Sequence, residues 1–309
     1  MRFQTAMKLC VLFVFLVQSF YVNAQVDDCS NNNLKIQVLG SGGPELSKNR
    51  ASSSYLVWQD GKAIIMIDAG GGSAFRYGQS DAQWQDLKVL LFTHFHADHS
   101  ADLPALVKAS WFGSRTNDLL VFGPYGNKKM PSTKEFLDAL FGENIGAYKY
   151  LSSNYDRKSH EYKLIAKVIE DKKAVQVLFD DDGLKIMAVQ VEHGPLPAFA
   201  YIVKSCGKTI VFSGDTNGKG FENLSISKTD VFVAHNVVPE DASKRAKYMH
   251  MTPSQIGENA VLLHTQKLIL SHRMRGTLGK ETQTLELIRK NYKGLVEIAN
   301  DLDFFSLDK

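Results

Sequence analysis

Three histidines and an aspartate fall within six residues in Thr93-His94-Phe95-His96-Ala97-Asp98-His99-Ser100, directly after the apolar run Val89-Leu90-Leu91-Phe92. Neutral imidazoles together with a carboxylate suit zinc or a similar first-row metal. His94, His96 and His99 cannot all face inward on one regular element, but on a loop at the end of a strand they can converge. Matching pieces occur downstream. His193 ends an apolar strand pattern over 184–191, Asp215 follows one over 209–213, and His272 follows one over 268–270. Each is a metal-ligand residue type at the C-terminal end of an apolar run, the edge where α/β folds place their chemistry. A polar loop with a few packed histidines is the bland alternative, and the downstream pieces weigh against it.

The elements that must position these side chains are mostly strands. Residues 34–39 (LKIQVL) alternate like a strand and end at Gly40-Ser41-Gly42-Gly43-Pro44, a turn. Residues 54–58 and 63–67 read as two strands around Asp60-Gly61, a hairpin signal. Residues 87–92 form a buried strand pattern. Later strands are expected at 175–179 and 184–191 around Asp181-Asp182-Gly183, at 199–204 and 209–213 around Cys206-Gly207, then at 231–234, 268–270 and 296–299. Helices are expected at 102–112, 132–141 and 281–291. Another begins at Thr252, where an N-cap threonine, Pro253 and Gln255 form a capping box, and runs to about Leu263. Residues 143–173 are polar with scattered aromatics and give no clear pattern. Strands come in two batches, each followed by helices. The simplest packing is α/β, an αββα sandwich of two mixed sheets face to face with helices outside.

The N-terminus has another purpose. Arg2 and Lys8 precede an apolar run over 9–17, and Val22-Asn23-Ala24 offers small residues before a cleavage point. Residues 1–24 therefore read as a signal peptide cleaved after Ala24, which makes the mature protein periplasmic or secreted. The run is too short for a membrane span, so no stable span is expected in the mature form. Residues 25–33 read as a polar leader, and 34–309 as a single domain. Cleavage takes the 36 basic residues of the chain to 34, against 33 acids, so the balance is near neutral. That excludes the basic excess of a general nucleic-acid binder. Export leaves Cys29 and Cys206, which an oxidising compartment permits to pair; two unpaired small residues are the alternative.

His94, His96, Asp98 and His99 complete an HxHxDH motif, and with His193, Asp215 and His272 they resemble the metallo-β-lactamase superfamily of hydrolases. The resemblance is strongest to its ribonuclease Z-like and phosphodiesterase-like branch, through Leu39-Gly40-Ser41-Gly42-Gly43-Pro44, Ile67-Asp68-Ala69-Gly70, Ser213-Gly214-Asp215-Thr216 and His250-Met251-Thr252-Pro253. It implies two divalent metal ions, zinc being favoured. His94, His96 and His193 would hold the first, Asp98, His99 and His272 the second, and Asp215 would bridge them. Two cations sharing a water lower its pKa and give a hydroxide nucleophile. Asp98 has a second role by the same resemblance, orienting or deprotonating that water. His250 would face the substrate and protonate the leaving oxygen or stabilise the oxyanion; an exposed loop histidine is the alternative. Asp68 would hydrogen-bond ligand histidines, unless it is only a turn carboxylate. Relatives in the branch often carry His-Glu where this chain has His235-Asn236, so the acid of that relay is absent. His160 and His264 have no partner motif and read as packing or surface residues.

The branch captures transfer RNA with an arm inserted between the positions matching His193 and Asp215. Here they are only 22 positions apart (215 minus 193), and two strands fill the interval. The near-neutral charge and the export signal also argue against transfer RNA. The main expectation is therefore an exported metal-dependent hydrolase of a phosphodiester or related small ester. A ribonuclease Z-like endoribonuclease, a β-lactamase or lactonase, and a non-catalytic metal-binding protein are the alternatives. Related enzymes are often dimers, so a homodimer is compatible, but no residue pattern reports an interface.

Overall fold

The computed structural model describes residues 34–156 and 162–307. The expected signal peptide, the 25–33 leader, Cys10, Cys29 and His160 lie outside the described residues. The first half supplies β1 (Lys35–Gly40), β2 (Ser54–Gln59), β3 (Lys62–Ile67), β4 (Val89–Leu91), β5 (Leu119–Pro124) and β6 (Leu164–Ile169). The second half supplies β7 (Gln176–Asp181), β8 (Leu184–His193), β9 (Leu196–Ser205), β10 (Lys208–Phe212), β11 (Thr229–His235), β12 (Thr265–Ser271) and β13 (Leu295–Ile298). Finally, β14 (Phe304–Ser306) returns to pair antiparallel with β1. The sheet orders are β14-β1-β2-β3-β4-β5-β6 and β13-β12-β11-β10-β9-β8-β7. In both, one side is antiparallel and the other parallel, with the change falling at β3 in the first sheet and β10 in the second.

Burial on both faces explains why the strands read as apolar runs rather than clean alternations. Ile65 and Ile67 face the opposite sheet, where Val231, Val233, Phe199 and Phe212 meet them in one cluster. The intervening Met66 points outward to helices α3 (Leu103–Ala109) and α4 (Thr133–Phe141). Likewise Phe232 and Ala234 point outward to α6 (Pro253–Leu262) and α7 (Glu281–Asn291). The result is the expected αββα sandwich. Shorter helices are α1 (Ser73–Gly78), α2 (Ala97–Ser100) and α5 (Lys244–Met249).

Local signals worked where the chemistry is local. Asp60-Gly61, Asp182-Gly183 and Cys206-Gly207 all adopt positive φ and close hairpins, as the twist of two-residue turns requires. Thr252 and Gln255 form the capping box, with Pro253 in the first turn. The strand expected over 87–92 shortens to β4 because a 3₁₀ turn, Trp84–Asp86, occupies its approach. The unclear 143–173 segment contains a 3₁₀ turn, Lys149–Asn154, and the edge strand β6. Among the described residues, no helix is long and apolar enough to cross a membrane. Cys206 is disulfide-bonded; the pairing expected with Cys29 lies outside the described residues.

Candidate metal centre

Five parallel strands end on one edge of the sandwich and deliver the chemical groups there. Asp68 follows β3, the His94–His99 loop follows β4, Asp215 follows β10, His235 ends β11 and His272 follows β12. His193 ends the antiparallel strand β8 at the same edge. The loop after β4 turns directly into α2, whose first turn carries Asp98 and whose end carries His99. Gly70 makes that turn fit: a Cβ there would lie 2.1 Å from the Asp98 carbonyl oxygen. His272 sits at φ 51°, a left-handed conformation that costs a non-glycine residue on the order of 1 kcal/mol. Strain of that kind is characteristic of functional sites.

Two groups of donors result. In the first, His94 Nε2 lies 3.0 Å from His96 Nδ1, and His193 Nε2 lies 3.4 Å from the same atom. Asp215 Oδ2 stands 3.9 Å from His94 Nε2 and 3.7 Å from His193 Nε2. In the second, His99 Nε2 and His272 Nε2 are 3.2 Å apart, and Asp98 Oδ2 lies 3.5 and 3.1 Å from them. Asp215 closes this group too, 3.7 Å from His99 and 3.5 Å from His272. A tetrahedral ion with bonds of roughly 2.0–2.2 Å spaces its ligand atoms about 3.3–3.6 Å apart. The separations in both groups, 3.0–3.9 Å, bracket that spacing, so both are compatible with a divalent cation, and Asp215 is common to them.

Hydrogen bonds behind His193, His99 and His94 settle which of their nitrogens are free. His193 Nδ1 must donate to the Met249 carbonyl, 2.8 Å away, leaving Nε2 as the lone pair. Asp68 accepts from Thr93 N, Thr93 Oγ1 and His99 Nδ1 at 2.7–2.8 Å, all fully buried. His99 therefore presents Nε2 forward. Thr93 Oγ1, having given its proton to Asp68, accepts from His94 Nδ1 at 3.1 Å, which frees His94 Nε2 as well. Asp68 is thus far more than a turn carboxylate; it orients His99 directly and His94 through Thr93.

His235 shows what sequence reading missed. By distance alone it groups with His99, Asp215 and His272. Yet its Nδ1 donates to Asp215 Oδ1 at 2.8 Å, and its Nε2 faces the Tyr55 hydroxyl at 3.0 Å. Both nitrogens are engaged, whereas Asp98 Oδ2 is open toward His99 and His272. His235 consequently supports Asp215, and Asp98 is the better fourth donor. Its position at a strand end is the same signal the ligands give, so residue type could not separate the two roles.

Electrostatics agree with a cation-binding site. Burial keeps His94, His96 and His193 below the ordinary histidine range, hence neutral and able to ligate. Burial likewise pushes His235 down to about 3. Against the cost of burial, His272, His250, His99 and the His235 hydrogen bond hold Asp215 well below the usual carboxylate range. The His272 hydrogen bond and His99 outweigh burial at Asp98, bringing it to about 2. Asp68 and Asp215 hold His99 up against burial, and Asp215 and Asp98 do the same for His272, so an entering cation would displace a proton from each of these two.

His250, the cap at the C-terminal end of α5, lies beside this centre. Its Nδ1 is 3.7 Å from Asp215 Oδ2 and makes no hydrogen bond. Burial keeps it neutral, while its side chain remains 18% exposed to the cleft. It is neither a donor in the two groups nor a surface residue. His264, also flagged in the sequence, lies at the turn after α6, away from the centre.

Residues 48–250 match the family described as the metallo-beta-lactamase superfamily. The chain is 26% identical to a ribonuclease Z of Mycobacterium marinum over 291 residues, which span 87% of this chain and 97% of the relative. Among solved structures, human tRNase Z, short form, aligns with TM-score 0.68 at 19% identity, over 89% of this chain and all of the other. The metallo-beta-lactamase fold protein YhfI from Bacillus subtilis aligns with TM-score 0.67 at 20% identity, over 89% and 99%.

Proposed function

Because the chain belongs to the metallo-β-lactamase superfamily, we propose that it hydrolyses phosphodiester bonds at a two-metal centre. The observation that carries the reading is Asp215, shared by two donor groups of ligand spacing at the floor of a cleft. His94, His96 and His193 would hold one ion and Asp98, His99 and His272 the other, with Asp215 within reach of both. The imidazole-rich donor set suits zinc. When bound, the pair supplies Lewis acidity and a water of lowered pKa.

The chain's own residues supply the rest. Asp98 has one carboxylate oxygen toward His99 and His272, which leaves the other to orient the attacking water. His250, neutral at the mouth of the centre, offers an imidazole N–H as a hydrogen-bond donor to the charge that develops on the leaving oxygen. His235, backed by Tyr55, fixes the Asp215 carboxylate through Oδ1, which leaves Oδ2 facing His94, His193 and His99. Asn236 follows His235 where relatives in the branch often carry a Glu, so the relay acid is absent from that position. Its backbone is tied instead to Ser271 and Thr277.

The curated relatives favour a ribonuclease Z-like phosphodiesterase over the small-ester reading. A specific observation keeps the smaller substrate as a second reading: β9 and β10 fill the interval from His193 to Asp215 and leave no length for an RNA-binding arm. We also infer export, on the pattern of residues 1–24 and the disulfide at Cys206. Metal-replete protein should be assayed on a single-stranded oligoribonucleotide, a 3′-extended transfer RNA precursor and bis(p-nitrophenyl) phosphate, beside chromogenic β-lactam, sulfate ester and lactone substrates. Turnover of the phosphodiesters supports the reading. Turnover confined to the last three would overturn it.

A further inference from the structure

The cleft above the centre is about 510 Å³, within the ordinary range for small-molecule sites. Its floor is polar, with His96, Asp98, Asp215, His250 and His272. One side is not. Val237, Val238 and Pro239 follow β11, Ala246 and Met249 come from α5, and Met274 comes from the loop after β12. Ala246 and Met249 are three residues apart and so share one helical face. Val237 and Val238 are 4% and 7% exposed, so they are fixed in the wall and do not fold over it.

We propose that this wall holds the leaving group of the substrate, and that the leaving group is a hydrophobic alcohol or phenol, aromatic or branched aliphatic. The direction follows from His250. It is the residue immediately after Met249, it ends the helix that builds the wall, and its ring stands beside Asp215. A leaving oxygen that accepts a hydrogen bond from the His250 imidazole departs along that side. The chemistry follows from the wall itself: Ser243 and Arg245 also line the cleft but are exposed at the start of the same helix, so the recessed part, from Val237 and Val238 to Met249 and Met274, offers apolar surface on which a ring or branched chain would lose water-exposed area. The inference rests on the two-metal phosphoester reading and narrows its substrate class.

The test is equilibrium binding of 2-naphthyl phosphate and methyl phosphate to the metal-loaded protein by calorimetry. The assay is repeated on Val238→Thr, which keeps the shape, and on Met274→Gln, which keeps the length. The wild type should bind the naphthyl compound about tenfold or more tighter, from the apolar area it buries. Each variant should bring the ratio of affinities down by about threefold or more, with an unchanged melting temperature marking an intact fold. Equal binding of the two compounds by the wild type, or variants that weaken both alike, would overturn the proposal. Phosphodiester turnover by the same samples separates the two claims. Cleavage without naphthyl preference defeats this inference alone, and naphthyl preference without cleavage defeats the function reading and leaves the wall's selectivity standing.

Discussion

Asp68 offers the sharpest test of how the centre is held. Its three accepted hydrogen bonds, from Thr93 N, Thr93 Oγ1 and His99 Nδ1, lie in a site without solvent. Asp68→Asn preserves size and tolerates the left-handed backbone at φ 57°, so the fold is not the confounder. The amide carries an NH₂ group in place of one acceptor oxygen. Placed toward His99, it meets Nδ1–H donor to donor; placed toward Thr93, it meets the backbone N–H instead. The relief open to His99 is to move its proton to Nε2, the nitrogen that faces Asp98, Asp215 and His272. That tautomer cannot ligate. Loss of a partner behind a metal-binding imidazole costs about 10–100-fold in affinity, or roughly 1.4–2.7 kcal/mol.

The assay is calorimetric metal titration against a competing chelator, with metal content read at limiting and saturating supply. Asp68→Asn should weaken the ion held by His99 by that factor and the ion held by His94, which feels Asp68 only through Thr93, by less. Asp68→Ala should go further, leaving three buried donors unpaired at about 1–3 kcal/mol for each such group. Compensation by relaxation brings the expected loss of metal-free stability to roughly 3–5 kcal/mol in urea melts. Two ions bound by Asp68→Asn at wild-type affinity, with turnover intact, would refute the argument from tautomers.

Three other outcomes are expected. His250→Ala should keep its metal and lose turnover by about 10²–10³-fold, the usual worth of one donor to a developing oxyanion; loss of metal would mean the residue had been misassigned. His235→Leu should weaken both ions by about tenfold, because it removes the donor that fixes their shared carboxylate, and an effect on one ion only would count against a bridging Asp215. N-terminal sequencing of the mature protein should begin at Gln25; any other start would move the cleavage site.

The legible parts of the fold are those whose causes are local in the chain. Asp-Gly and Cys-Gly pairs specify hairpins by the positive φ they tolerate. Thr252, Pro253 and Gln255 specify a helix start within four residues, and the α7 span Glu281–Asn291 is carried by its own pattern. Three kinds of element were illegible. Helix α2 is four residues long and built from the very residues that look like ligands, so no periodicity can develop. Helix α5 is six residues long and buries none of them fully, so its short Ala246–Met249 face is too brief to betray it. Strand β14 exists only because Phe304–Ser306 finds β1 across nearly the whole chain, a pairing that no local pattern encodes.

The same division runs through the candidate centre. The types of the donors and their placement at strand ends could be read from sequence, because an apolar run followed by His or Asp is a local signal. The proton arrangement behind them could not. Thr93 donates to an aspartate 25 residues earlier and accepts from its own neighbour, so its meaning depends on β3 and β4 lying side by side. His235 reaches Asp215 because β10 and β11 are parallel neighbours in register. A sequence can therefore nominate eight plausible donors at this edge but cannot say which of them is already spent. The two nitrogens of His235 are spent on Asp215 and Tyr55, while Asp98 keeps an oxygen facing His99 and His272. That difference makes Asp98 the ligand we propose and His235 its support.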